Sequence, residues 1–544
     1  MQSVSPSLAL AWSGPPLTAP YMALASLPIV VLLTLIMGCR WSAPKAGAAA
    51  CLVTTALACA GFGESARGLA ISSTKGLSLS LFVLSVIWSA VLLYNIVEGL
   101  GGIRIIGRTM GRLVGDPLAQ ALVVGWAFAG FMQGVAGFGV PVAVVAPLLV
   151  LMGFGAAQAA AIVLIGHAWS VTFGSLGSSY YTIQLVTGIH GDVIAPRMAA
   201  LFALPIVASG FAVAHVQGGL AALRRGTWAI LLMGGAMALA MWLTARFGMP
   251  QLASVIPGLV GCCIGWLASR LGLFGRGSKR APDPTGTRVL EIGGGSQTAA
   301  APAERSFHLA FLPYYVLIGL SLLSQWPALR AIKAGWGLDY PGLRTGLGFS
   351  VEPQKRYAAI ELLRHPAPLI LFGILLSYAI YRLSDRWKPR LFTGALRTTY
   401  AQCISTSVGI CTMVMMAVIM TDTGMTALLG RAIAAGAGSA FAVFSPYIGV
   451  LGTFMTGSNT NSNVMFGALQ LESARALAID TVAVASVQSI GGALGSAIAP
   501  TKVLVGTAVV GLSGREGEVM KRTIPYCMAL ALLVGVQIAI LLKL

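Results

Sequence analysis

The long apolar runs of this chain are interrupted twice in a way that an ordinary membrane-crossing helix does not tolerate. From Gly130 to Gly155 it reads GFMQGVAGFGVPVAVVAPLLVLMGFG, apolar throughout but opened by glycines and prolines. From Gly452 to Gln470 it reads GTFMTGSNTNSNVMFGALQ, in which eight consecutive residues, Thr456 to Asn463, are all Thr, Gly, Ser or Asn. Hydrocarbon offers the backbone no hydrogen-bond partner, so non-helical chain at membrane depth persists only where protein or a water-filled cavity supplies one. A break of this kind in each half of a chain points to a transporter binding site.

The composition makes the bilayer the solvent. Hydrophobic residues are 57% of the chain and charged residues 9%, against about 25% charged in a soluble domain. A net charge of +19 would suggest nucleic acid in a soluble protein. Here the Lys and Arg residues sit in short connections between apolar runs, the positive-inside pattern, and no nucleic acid partner is expected. The eight cysteines lie mainly within or beside apolar runs, with no CxxC pair and no His at zinc-ligand spacing, so they read as packing thiols. No metal or cofactor is expected. There is no phosphate loop, HExxH or GxSxG, and the SxxK match at Ser72 to Lys75 reads as a coincidence in a connecting loop. An enzyme is therefore not the expectation.

Apolar runs recur from Met22–Gly38 to Ile524–Leu542, each near the ~20 residues that cross a bilayer. No basic residue precedes the first, which reads as a membrane helix with its N-terminus outside, not a signal peptide. Arg40 and Lys45, then Arg104, Arg108 and Arg112, fall on the inner side. The expected fold is an all-α polytopic integral membrane protein of the cell membrane, with roughly 12–14 membrane segments in two inverted repeats containing broken or re-entrant helices. Residues 1–275 form the first half, 276–305 a flexible cytoplasmic linker rich in Gly, Ser, Pro and Thr, and 306–544 the second half.

The two breaks carry chemistry. A half-helix N-terminus presents free N–H groups and partial positive charge, which suits a carboxylate. Gly134, Gly137 and Gly139 allow backbone turns closed to other residues, and Pro141 can open a new half-helix; Gln133 and Phe138 belong to the same stretch. Ser458, Asn459, Thr460, Asn461, Ser462 and Asn463 offer hydroxyls and amides that suit a small hydroxy acid or a sodium ion. Close helix packing through glycine is the competing account of the first break.

Three ionisable residues stand out in apolar surroundings. His167 titrates near neutral pH and is a coupling candidate, or a satisfied structural histidine. Asp422, in MTDTGM, is a second proton-carrier candidate, or a helix cap at the membrane surface. Lys502, in APTKVLVG, needs a partner such as Asp422 or a bound carboxylate if buried, or else snorkels to the inner surface. Ser175, Ser178, Ser179, Tyr180, Tyr181, Gln488 and Ser489 are further lining candidates, with an interfacial aromatic belt as the competing account of the two tyrosines.

GxxGFGxPVA at Gly134 to Ala143, LGxFxTGSxTxSNxxFxxLQ at Leu451 to Gln470, APTKVLVGTAVVGLSGREGE at Ala499 to Glu518 and LLYNIVEGLGGI at Leu92 to Ile103 together resemble the L-lactate permease family of secondary transporters. The resemblance covers nearly the whole chain. It implies proton-coupled uptake of small 2-hydroxymonocarboxylates such as lactate and glycolate. Where the family's first motif usually has Glu this chain has Gln133, and where the second usually has Asp it has Asn459. A carboxamide keeps hydrogen bonding but carries no proton. Coupling by sodium is accordingly the alternative, since Ser458-Asn459-Thr460 also resembles a signature of dicarboxylate/sodium symporters. A transporter-like sensor or passive channel is the alternative of another class. The expected partners are the carboxylate and the bilayer, with a homodimer among the expected assemblies.

Overall fold

The computed structural model of the protein describes residues 14–39, 41–102, 105, 114–137, 139–274, 307–330, 332, 334–363, 365–383 and 389–542. The expected linker at 276–305 lies outside the described residues, as do Arg40, Arg104, Arg108, Arg112 and Phe138. The apolar runs form helices because a helix satisfies its backbone internally.

Helices α1 (Ala19–Met37), α2 (Ala43–Ala60) and α3 (Ala66–Gly99) begin the described chain. Helix α3 is capped by Ser65, whose hydroxyl accepts the Gly68 N–H at 2.9 Å. Next come α4 (Pro117–Val135) and α5 (Val140–Leu151), then α6 (Ala156–Ser170) and α7 (Gly174–Thr187), a pair bent by 50°. Helix α8 (Gly191–Arg246) has 56 residues, about 84 Å of helix at 1.5 Å per residue. That is more than twice the bilayer core, and α8 breaks at Gly218 and Gly219, so it crosses twice. Helix α9 (Pro250–Arg270) closes the first half.

The second half contains α10 (Phe307–Leu323), α11 (Pro366–Leu383), α12 (Pro389–Asp422), α13 (Met425–Ala437), α14 (Phe441–Thr456), α15 (Asn459–Ala476), α16 (Thr481–Gly495), α17 (Pro500–Val509) and α18 (Glu516–Leu541). Among the described residues nine helices are long and apolar enough to cross a membrane, ten if the bent pair counts as one span, and shorter apolar helices accompany them. The protein is a multi-pass membrane protein.

The connection between α10 and α11 departs from an all-helical fold. There β1 (Gly335–Tyr340) pairs antiparallel with β4 (Gln354–Glu361), and β2 (Leu343–Arg344) with β3 (Ser350–Val351). Lying beyond the membrane helices, these open-edged strands need no closure into a barrel, because water completes their hydrogen bonding. The sheets are tied to the helices by Tyr340 Oη to Ser78 Oγ, 2.7 Å, and by the Gly346 N–H on Gly63 O, 2.8 Å.

Two groups of helices emerge from the packing. In the first, α3 lies along α12, with α2 against α12 and α11 against α3; this is the frame. The second is a bundle of α4–α9 with α14–α18, crossed so closely at Gly449 and Gly491 that a Cβ at either would overlap the facing backbone. Basic connections place the inner side at the start of α2 and α12 and the end of α9. Arg225, just past the α8 break, holds Asp116 at the start of α4, 3.2 Å apart, so α4 also starts inside. Helices α4 and α5 therefore form a hairpin dipping in from the inner side. Arg197, at the outer start of α8, holds Asp480 beyond α15 at 3.2 Å, so α14 and α15 form a hairpin dipping in from the outer side.

Candidate functional site

Each hairpin is followed by a span broken in its middle: α6–α7 after the first, α16–α17 after the second. The packing is reciprocal. Helix α7 lies against α15 of the opposite hairpin, and α17 lies against α5. Element order, entry side and contacts thus repeat in inverted sense, and the two hairpin tips meet the two breaks deep in the protein.

At the first tip Gly139 adopts φ +87°, a left-handed value that opens α5 behind it. Gly137 sits so close to Ser175 that a Cβ would overlap the Ser175 hydroxyl oxygen. Ser175 and Leu176 also hold left-handed φ values, 48° and 53°, uncommon for residues with side chains and a mark of stored strain. Gln133 is buried against Gly174, and its Oε1 has no hydrogen-bond partner among the described residues. The opened helix expected over Gly130–Gly155 is thus a complete turn-back, with α4 starting earlier, at Pro117.

The second tip is polar. Ser458 caps α15, accepting the Asn461 N–H at 3.3 Å. Asn459 Nδ2 donates to Thr172 Oγ1 and to Ser489 O, both at 3.2 Å. Asn463 Nδ2 donates to Ser179 O at 3.0 Å and Ser489 Oγ at 2.9 Å, and Thr460 shares a 3.0 Å hydrogen bond with Ser179. Ser462 Oγ donates to Gly449 O at 2.9 Å, and Gln488 Nε2 reaches Ser462 O at 3.2 Å. The hairpin tip is therefore stitched to the breaks of both spans. Left over are buried acceptors without partners among the described residues, Oδ1 of Asn459, Asn461 and Asn463 and Oγ1 of Thr453, and unfilled acceptors this deep are costly unless something binds them.

The ionisable residues fall into two places. His167, in the last turn of α6, is fully buried, with Nδ1 2.7 Å from Val163 O and Nε2 without a partner among the described residues. Lys502, in the first turn of α17, lies near His167. Lys502 is 6% exposed, not extended to the surface, and no acidic side chain is paired with it among the described residues. Asp422 is not its partner. The Asp422 carboxylate is taken by Lys75, 2.8 Å away, and by the Ser72 hydroxyl at 2.8 Å, while the following helix α13 is opened by Gly424; the cap account fails with it. Ser72 and Lys75 lie inside α3, not in a loop, and their i, i+3 spacing was the available sign that both face one way. Tyr180 and Tyr181 are buried, Tyr181 bonding Gln251 at 3.1 Å, so they form no interfacial belt.

Among the described residues, an inner and an outer cavity lie along the seam between frame and bundle. The inner one, about 290 Å³, is lined by Val91, Tyr94 and Gln402 of the frame and by Gly137, Val140 and Ser175 of the bundle. The outer one, about 650 Å³, is lined by Lys75, Thr421 and Asp422 of the frame and by Gln184, Val464 and Arg475 of the bundle. Between them along both α3 and α7 stand Phe82 and Tyr181, ring centroids 6.0 Å apart.

The chain matches the family model described as L-lactate permease over residues 22–544. The L-lactate permease of Escherichia coli (strain K12) is 29% identical over 473 residues, 83% of each chain. That of Bacillus subtilis (strain 168) is 29% identical over 497 residues, 85% of each chain. Glycolate permease GlcA of Escherichia coli (strain K12) is 26% identical over 477 residues, 83% of each chain. Among solved structures, the Alcanivorax borkumensis YdaH transporter is similar with a TM-score of 0.48 at 15% identity, over 92% of this chain and 98% of that one. Neisseria gonorrhoeae MtrF, from a class of antimetabolite efflux pumps, is similar with a TM-score of 0.47 at 15% identity, over 98% of this chain and 96% of that one.

Proposed function

The chain belongs to the L-lactate permease family, and from that premise we propose that it is a secondary active symporter of small 2-hydroxymonocarboxylates, lactate or glycolate, moved with protons. The observation that carries this reading is the pair of cavities on one seam, opening at different depths and separated by Phe82 and Tyr181. A substrate passes such a seam when the bundle shifts against the frame, exposing the hairpin tips to one side and then the other.

Recognition follows from the chemistry left unfilled. The substrate carboxylate takes the Lys502 ammonium, a buried cation without an acidic partner among the described residues, helped by the partial positive charge at the starts of α5 and α17. The substrate hydroxyl donates to one of the unpartnered asparagine oxygens of α15. A hydroxy acid satisfies both kinds of group, whereas a plain carboxylate leaves the acceptors empty. Gln133, Gly134, Gly137 and Gly139 shape the first tip; Ser458, Thr460 and Ser462 hold the second.

Uptake of labelled L-lactate into proteoliposomes tests the reading. Accumulation driven by an acid exterior and abolished by a protonophore is the expected result; uptake that only equilibrates the two sides would make the protein a passive channel. Asn459 Oδ1 and Thr453 Oγ1, hard oxygens without partners among the described residues and both beside Gly492, support sodium as a second reading of the coupling ion. Accumulation driven by an imposed sodium gradient alone would favour it.

A further inference from the structure

The outer cavity holds an ion pair that the binding site described above does not use. Lys75 of α3 and Asp422, the last residue of α12, are each 4% exposed in their side chains. Lys75 Nζ donates to both carboxylate oxygens, at 2.8 and 2.9 Å, and the Ser72 hydroxyl donates to Oδ2 at 2.8 Å. The ammonium also stands 5.6 Å from the centre of the Tyr357 ring. The pair forms part of the frame wall of the outer cavity, opposite α15, whose first residues form the polar tip.

Taking two ions out of water is expensive, and a buried pair is weak evidence of a stabilising role because apolar side chains of similar volume serve as well or better. What a buried Lys–carboxylate pair can do that apolar residues cannot is exchange one carboxylate for another. We propose that this pair is an outer carboxylate-receiving site, in which Lys75 releases Asp422 to bind an incoming small carboxylate and Asp422 takes up one proton. The inference rests on the reading that the protein carries small carboxylates with protons, and it assigns the residues that admit the two together; when Asp422 returns to Lys75, its proton leaves on the departing carboxylate.

The exchange balances. Before it, the site holds one ammonium and one carboxylate. Afterwards it holds the same ammonium, the substrate carboxylate and a neutral Asp422 carboxyl, the new O–H bond having been made with a proton from the outer solution. A buried carboxylate stripped of its counter-charge is far more stable neutral, so anion and proton enter together and the buried charge stays at zero. The Ser72 hydroxyl can serve either carboxylate, since it rotates and both donates and accepts.

Other groups face this site. Glu64, in the connection before α3, interacts electrostatically with Asp422, and burial pushes its carboxyl above its ordinary range. Tyr357 stands on β4, and its phenol is likewise pushed up by burial. His190, Lys355, Glu472 and Arg475 line the cavity, the last two paired with each other. The cavity charge from Lys75, Lys355 and Arg475 exceeds that from Asp422 and Glu472, which favours entry of an anion.

The test uses the purified full chain in a weakly buffered solution with a pH-sensitive dye. On saturation with L-lactate the wild type should take up close to one proton per protein molecule, and Asp422→Glu should do the same. Asp422→Asn, a mimic of the protonated state, should bind lactate without proton uptake and, in proteoliposomes, exchange lactate between equal pools yet fail to accumulate it under an acid-outside gradient. Lys75→Met/Asp422→Asn strands no buried charge and so keeps the test available if the single variant misfolds. The double variant should remain folded, still bind lactate through Lys502, take up no proton on binding it and fail to accumulate it. Accumulation by either variant to the wild-type level would show the pair to be a clamp between α3 and α12 and overturn the proposal. Wild-type protein that neither binds nor accumulates lactate would instead overturn the transport reading on which it rests.

Discussion

Gly137→Ala is the sharpest single test of the first hairpin tip. The residue is buried and lines the inner cavity, and an added Cβ would overlap Ser175 Oγ while standing 3.3 Å from Ser175 Cβ and 3.5 Å from Gln133 Nε2. The hydroxyl is the main obstacle. Turning the hydroxyl aside still leaves the close contact with Ser175 Cβ, on a backbone held at φ 48° within the bend between α6 and α7. Overpacking of a well-packed site costs about 1–3 kcal/mol, which corresponds to roughly a 5–150-fold change in a population or an affinity. If the tip must seat against Ser175 during transport, initial rates of lactate uptake in proteoliposomes should fall within that range, with the protein still monodisperse. Ser175→Ala removes the overlapping atom, so the double variant should return to the rate of Ser175→Ala alone, giving a coupling energy of about 0.5–3 kcal/mol. Wild-type uptake by Gly137→Ala would refute the seating of the tip. Failure of the second substitution to restore the rate would refute the assignment of the loss to this overlap.

Lys502→Met removes a buried charge without an acidic partner among the described residues; it should raise the melting temperature and at the same time weaken lactate binding at least tenfold, because stability and function conflict at such a site. Asn459→Ala leaves Thr172, Ser489 and their neighbours without its amide donor, a loss of about 1–3 kcal/mol to be read by thermal melting alongside uptake. Phe82→Ala opens the barrier between the two cavities and should allow lactate to leak down its gradient independently of pH, measured as efflux from preloaded vesicles. For one anion with one proton, substrate addition should produce no current on a supported membrane, since each uncompensated charge is worth ~2.3 kcal/mol per 100 mV; a steady current would reject that stoichiometry.

Much of the site was legible in the sequence for a specific reason. Polar residues such as Ser458 to Asn463 have no place in hydrocarbon, so their presence inside an apolar run already announces a buried polar junction. Gly137 and Gly139 likewise announced a turn, since a left-handed backbone beside a close neighbour excludes most side chains. The membrane class and the inner side of the basic connections followed from apolar length and charge placement, which are properties of the chain in its solvent and need no partner.

Partners are what the tertiary structure decided. Asp422 finds Lys75, 347 residues away in the chain, and Lys502 is left beside His167 without an acid among the described residues; neither outcome is written in the local sequence, because a charge states its need for a partner but not which one the fold delivers. The same holds for Tyr180 and Tyr181, whose buried positions come from α7 lying against α15 and α3, and for Gly130–Gly155, where a turn-back and an opened helix share one pattern of glycines. Hydrophobicity and backbone permissiveness act residue by residue and can be read in order. Which broken end meets which hairpin tip depends on contacts between segments hundreds of residues apart, and only packing selects among them.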